Sequence, residues 1–151
     1  MKKILQFSLL LILVGCNQDS PNVQQIGNMK FFIENGSQEG VNQVEQGLQY
    51  SIIKSGDELT ESPDLNNVIT AHFHGTLTDG TVFWSSVDMN EPLTVQLSGL
   101  IVGCQKIISM MKVGDKWRAY IDSSMAYGDE GRPGIPPNSI LIFDIELLDI
   151  E

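Results

Sequence analysis

The chain has 151 residues, room for one globular domain, and its 42% apolar and 19% charged residues are an ordinary mixture for a packed core. The formal net charge is −10, with no Lys/Arg cluster of the size that displaces counterions, which excludes a binder of nucleic-acid backbone. Two cysteines exclude a disulfide framework.

The N-terminus reads as a targeting segment. Lys2 and Lys3 precede an apolar run from Ile4 to Val14, broken by Gln6 and Ser8. Eleven residues fall short of the ~20 that span a bilayer. Leu13-Val14-Gly15-Cys16 follows, with a small residue before a cysteine where polar sequence begins. Residues 1–15 are therefore expected to be a bacterial lipoprotein signal peptide, leaving Cys16 as the lipid-carrying first residue. Acyl chains contribute ~0.8 kcal/mol per buried CH₂, so stable membrane attachment takes more than one. Residues 16–45 are expected to form a lipid-anchored tether. Residues 17–28 are rich in Asn, Gln, Ser and Pro, as in a flexible linker. Met29–Val41 carries Met29, Phe32 and Ile33 at helical spacing, but Gly36 and Gly40 make this a short, marginal helix.

From residue 46 the pattern is that of a domain running to Glu151. Leu48, Tyr50 and Ile52 alternate with Gln49 and Ser51 as a half-buried strand. Turn-forming residues around Ser55-Gly56-Asp57 and Ser62-Pro63-Asp64 follow. Val68–Thr78 alternates, with Ile69, Ala71, Phe73, Gly75 and Leu77 on one face. Asp79-Gly80 predicts a hairpin turn, and Thr81–Val87 a returning strand. Pro92–Leu97 predicts a further short strand. Ile101–Met111 has a helical pattern, with Ile101, Cys104, Ile107, Ile108 and Met111 sharing a face. Lys116–Ile121 predicts a strand with Trp117, Ala119 and Ile121 inward. A Gly/Pro-rich loop, 123–139, leads to a last strand with Leu141, Phe143, Ile145 and Leu147 on the core side. These elements predict an α+β domain, an antiparallel β-sheet curled around one short α-helix.

Familiar chemistry is scarce. His72 and His74 share a strand face about 7 Å apart, but no Cys, Asp or Glu at ligand spacing joins them, so no metal site is expected. No nucleophile elbow, zinc-protease motif or phosphate loop occurs. Cys104 lies in the apolar run 100–111, where it acts as a small hydrophobe. Only Lys106 is near enough in sequence to activate its thiol. What remains is an apolar and aromatic set: Phe73, Phe83, Leu93, Val95, Ile101, Tyr127, Ile135 and Phe143. Tyr127 and Ile135 stand out because they sit among Gly and Pro in a loop, the place for a pocket rim.

The segments His72–Phe83, Met111-Lys-Val-Gly114, Ala126-Tyr-Gly128, Ile135-Pro-Pro-Asn138 and Leu141–Leu148, in this order, resemble the FKBP-type peptidyl-prolyl cis-trans isomerases. The resemblance covers about residues 46–151. Phe31-Phe-Ile-Glu-Asn35 and Gly47-Leu-Gln-Tyr50 are similar to the macrophage-infectivity-potentiator-like branch. Members of that branch often carry a helical dimerisation segment; with only 17–28 between Cys16 and Met29, a monomer is expected. The resemblance implies proline-containing polypeptides as partners and no cofactor. It implies that the Ile101 main-chain N–H and the Tyr127 phenol bind substrate carbonyls, with Phe143 beside them. Phe73, Phe83, Trp84, Leu93, Val95, Leu100, Cys104 and Ile135 match positions around the proline pocket.

The chain departs from the family pattern at several of these. Cys104 stands where a pocket-floor tryptophan is usual, Trp84 replaces an aspartate, Phe73 a tyrosine and Leu93 an aromatic. Arg132 occupies a variable polar or basic loop position. Losing the floor indole opens a void or lets another side chain collapse in; Trp84 is a candidate to fill that volume, and if it does it stands in the way of proline. Two functions stay open on the sequence: a lipid-anchored isomerase acting on envelope proteins, and a chaperone or peptide-binding module with weak or absent isomerase activity. Asn17 after Cys16, rather than aspartate, favours an outer-membrane anchor, facing the periplasm or the surface.

Overall fold

In the computed structural model, which describes residues 22–151, the chain opens with a helix, α1, Val23–Gly36. The signal segment, Cys16 and residues 17–21 lie outside the described residues. The helix starts earlier than expected because Asn22 and Gln25 form a reciprocal cap. The Asn22 side chain accepts the Gln25 N–H at 2.8 Å, and the Gln25 side chain accepts the Asn22 N–H at 2.9 Å. Residues 23–28, expected as linker, are therefore helical. The docking face also differs from expectation. Met29 and Ile33 are exposed, and the buried residues of α1 are Asn28 and Asn35.

The helix is held by amides. Asn35 Nδ2 donates to Gln49 Oε1 at 2.9 Å, and Gln49 Nε2 donates to the Phe32 carbonyl at 2.8 Å. This explains why Gln49 is buried although the alternation of its strand points it outward. A buried amide keeps its cost low only when its polar atoms are bonded, as here.

Seven strands follow: β1 Val41–Glu45, β2 Leu48–Lys54, β3 Val68–Leu77, β4 Val82–Ser85, β5 Leu93–Gln96, β6 Lys116–Ile121 and β7 Leu141–Ile150. They pair antiparallel in the order β1-β2-β6-β7-β3-β4, and β5 pairs with the first half of β3. β1 falls in a stretch expected to belong to the tether. A short helix, α2, Val102–Ile108, packs on the sheet and is shorter than the apolar pattern of 101–111.

The core lies between α2 and the inner sheet face. β3 contributes Ile69, Ala71 and Phe73, β6 contributes Trp117, Ala119 and Ile121, and β7 contributes Leu141, Phe143, Ile145 and Leu147. Cys104, Ile107 and Ile108 of α2 and Met111 beyond it fill the other side. The expected α+β architecture is the one observed. No described helix is long and apolar enough to cross a membrane.

The outer face of the central strands carries a charge ladder. His72 and His74 stand opposite Glu146 and Asp144 of β7, which in turn face Lys116 and Arg118 of β6. Arg118 grips Asp144 with two bonds, 2.6 and 2.8 Å, and this contact raises the arginine pKa further. Lys116 Nζ lies 3.8 Å from Glu146, so both β7 carboxylates are engaged by cations, while Asp88 Oδ2 lies 4.0 Å from His74 Nδ1. Each imidazole Nδ1 lies within hydrogen-bond distance of a serine hydroxyl, Ser86 or Ser85. Among the described residues no group of three or more His, Cys, Asp or Glu is placed to hold a metal.

Candidate functional site

The inner face of the sheet ends in an opening beside α2. β3 brings Phe73, β4 brings Phe83 and Trp84, β5 brings Leu93, and β7 brings Phe143. Leu100 and Ile101 come from the entry to α2, and Cys104 from its first turn. The 123–139 loop supplies Tyr127, Arg132, Pro133 and Ile135. Together they line a cavity of about 520 Å³. That is in the range of sites for small molecules or a few side chains, ~300–1,000 Å³.

The walls are built from edge-to-face aromatics. Phe83 and Phe143 meet at 5.4 Å and 88°, and Phe73 and Phe143 at 6.3 Å and 83°. Such T-shaped pairs are favoured by the ring quadrupole and fix the ring planes. They close over Gly75, where an added Cβ would lie 2.6 Å from Phe83 and 2.8 Å from Phe143. Only a residue without a side chain lets the two rings meet there.

The floor corrects one expectation. Cys104 is buried and lines the cavity, and burial pushes its thiol up to about 12. Trp84 does not fill the space beside it. Its ring stands 6.2 Å from Phe73 and it remains 37% exposed, which puts it on the rim. A two-ring side chain on a four-residue edge strand gains contact with Phe73 there without displacing core atoms. The space expected to collapse is thus left open.

Two polar groups stand at the mouth. Ile101 caps α2 in an extended conformation, and its N–H donates to no backbone carbonyl among the described residues. Tyr127 presents its hydroxyl from the loop, where Arg132 Nη1 donates to it at 2.8 Å. A phenol oxygen that accepts one bond keeps its own O–H to give elsewhere. The positive charge beside it polarises that O–H toward stronger donation.

The loop is held at both ends by α1. Asn28 Nδ2 lies 3.2 Å from Asp122 Oδ2 and 3.0 Å from the Asn138 carbonyl. Asn138 N–H in turn closes on the Gly128 carbonyl at 2.8 Å. Asn28 escaped notice in the sequence because it sits in a stretch that reads as linker; the Asn22/Gln25 cap was the signal that could have found it.

Of the residues singled out in the sequence, Phe73, Phe83, Trp84, Leu93, Leu100, Ile101, Cys104, Tyr127, Ile135 and Phe143 gather around this one cavity. Val95 does not line it; it is half-buried on β5 and packs against the core. Gly99 and Pro133 join the lining unanticipated.

The lining is mostly apolar and aromatic; its polar groups are the Ile101 N–H and the paired Tyr127 and Arg132, and it holds no carboxylate among the described residues. Residues 60–148 match the family model described as FKBP-type peptidyl-prolyl cis-trans isomerase. The chain belongs to this family.

It is 40% identical over 135 residues to the FKBP-type peptidyl-prolyl cis-trans isomerase FkpA of Aeromonas hydrophila, an alignment covering 89% of this chain and 49% of the relative. It is 38% identical over 122 residues to the peptidyl-prolyl cis-trans isomerase Mip of Coxiella burnetii, covering 80% and 52%. The chain therefore spans about half the length of these curated relatives. The crystal structure of a peptidyl-prolyl cis-trans isomerase from Pseudomonas syringae pv. tomato superposes with a TM-score of 0.79 at 29% identity, covering 88% of this chain and 98% of that one.

Proposed function

We propose that this chain is a peptidyl-prolyl cis-trans isomerase acting on proline-containing segments of unfolded envelope proteins. The observation that carries the reading is the aromatic-walled cavity with the Tyr127 hydroxyl and the free Ile101 N–H at its mouth. Rotation about a peptide bond meets a barrier of ~18–20 kcal/mol, and unassisted X-Pro isomers exchange over tens to hundreds of seconds. Rotation breaks amide resonance and makes the carbonyl less polar. An apolar enclosure destabilises the planar, polar amide more than the twisted one, which is the differential binding that catalysis requires.

In this mechanism the proline ring enters against Phe83 and Phe143. The Ile101 N–H and the Tyr127 O–H each take a substrate carbonyl, fixing the backbone on both sides of the rotating bond. Cofactor chemistry has no part in these steps.

The test is an isomerisation assay on X-Pro peptides with the chain from residue 17 onward. Acceleration over buffer, reduced in Tyr127→Phe, is expected. A rate equal to buffer for every peptide would sink the reading. The second reading, a peptide-holding module without turnover, is favoured by Cys104 and Trp84, which leave the cavity deeper and its rim more apolar. Saturable peptide binding without rate acceleration distinguishes it.

We further propose attachment to the envelope through lipid on Cys16, on the outer membrane. The Leu13-Val14-Gly15-Cys16 motif after an apolar run supports this. Cys16→Ser should move the protein from the membrane to the soluble fraction; retention on the membrane would refute it.

A further inference from the structure

Among the described residues Arg132 is the one charged side chain lining the cavity, and it sits where it can meet a bound peptide. A tight turn presents it. Arg132 and Ile135 exchange two backbone hydrogen bonds, 2.9 and 2.8 Å, around Pro133 and Gly134. Gly134 has φ of +82°, the left-handed value that the third residue of a proline-led turn requires. The guanidinium is fixed in turn by Tyr127. Its Cζ lies 4.7 Å from the ring centroid, and one N–H reaches the phenol oxygen. Both contacts restrict the side chain before any ligand arrives.

No carboxylate grips the charge. Arg132, like Lys54 and Lys112, forms no ion pair among the described residues, whereas Lys30, Lys106, Lys116 and Arg118 each have a carboxylate. A guanidinium has five N–H donors, and the Tyr127 bond uses one. Free donors on a pre-oriented fork match a carboxylate in geometry and charge. The chain as a whole carries a formal charge of −10, which repels acidic peptides at long range. Salt screens that repulsion beyond ~8 Å at physiological ionic strength. Within the lining itself, Arg132 is the charge a bound segment meets.

Resting on the isomerase reading of this cavity, we propose that Arg132 is a specificity residue selecting segments in which an acidic residue neighbours the proline. The carboxylate pairs with the free edge of the guanidinium while the proline ring occupies the aromatic cavity.

The test uses peptides carrying Glu, Gln or Lys immediately before or immediately after proline. For the wild-type protein, kcat/KM for Glu should exceed that for Gln roughly two- to fivefold at one of the two positions, the range of an exposed ion pair. The preference should shrink in high salt. Arg132→Gln should bring the ratio to one, Arg132→Lys should keep part of it, and Arg132→Glu should invert it in favour of Lys. A wild-type ratio of one at both positions, or one unchanged in Arg132→Gln, overturns the proposal. Should no peptide isomerise faster than in buffer, the isomerase reading fails by itself. Dissociation constants for the same peptides, measured by titration calorimetry, then decide the charge preference by the same ratios.

Discussion

Replacing Gly75 with Ala tests whether the aromatic wall sets the activity. The new Cβ would lie 2.6 and 2.7 Å from two Phe83 ring atoms and 2.8 Å from one of Phe143. Carbon atoms rest at ~3.5–4.0 Å, so the rings must retreat by about 1 Å. Overpacking of this kind costs ~1–3 kcal/mol, which a domain of ordinary stability, ~5–15 kcal/mol, survives folded. Both displaced rings line the cavity, and a 1 Å misplacement around a reacting group costs up to ~100-fold in rate. The expected outcome is a folded variant with a lower urea midpoint and kcat/KM reduced roughly ten- to hundredfold for X-Pro peptides. Gly27→Ala is the comparator. Nothing lies within 4 Å of its Cβ, and it sits inside α1, so it should gain about 0.5–1 kcal/mol. A Gly75→Ala protein with wild-type midpoint and less than threefold loss of activity would refute the reasoning, because the rings would then be free to move without consequence.

Asn28→Ala removes the donor to both ends of the Tyr127 loop and leaves two acceptors behind; a loss of about 1–3 kcal/mol in chemical denaturation is expected, together with reduced kcat/KM. Cys104→Trp places an indole in the open floor of the cavity, so thermal stability should hold and X-Pro peptides should bind more tightly; a destabilisation of ~1–3 kcal/mol would show that the space is not available. Burial raises the Cys104 thiol from 9.0 to about 12, so the native state keeps a proton that the unfolded chain releases in that window. The sign follows: this contribution is intact below pH 9 and is lost as pH rises toward 12. Urea midpoints measured from pH 8 to 11 should therefore fall more steeply for wild type than for Cys104→Ala, and parallel slopes would contradict the burial.

The strands that carry the cavity were legible because each has one wet and one dry face. β3, β6 and β7 alternate in sequence as they do in burial, and Ile69 through Leu147 fall where the pattern puts them. β1 was not legible: Val41-Asn-Gln-Val-Glu45 is an edge strand with no face in the core, so nothing in its sequence marks a buried side. The start of α1 was hidden for the opposite reason. Its docking residues include Asn28, which by composition reads as linker, and Asn35, while Val23, Ile26, Met29 and Ile33 point to water. At the site, the family resemblance located the lining residues but not their depth. Val95 and Trp84 both fell in the right neighbourhood, one behind the wall and the other on the rim. Side-chain direction at a strand edge depends on neighbours distant in sequence, here Phe73 for Trp84.

The amide of Asn28 also makes the helix and the tyrosine loop a single mechanical element. The helix ends where the chain ahead of Val23 begins, so a pull along that chain acts first on the bonds to Asp122 and Asn138. Force enough to peel α1 away would unfasten both ends of the loop before it reached any core strand. On the proposed reading of the cavity, grip on a peptide and tension on the N-terminal side of the molecule then oppose each other, and a bound chain would hold the helix down against the pull.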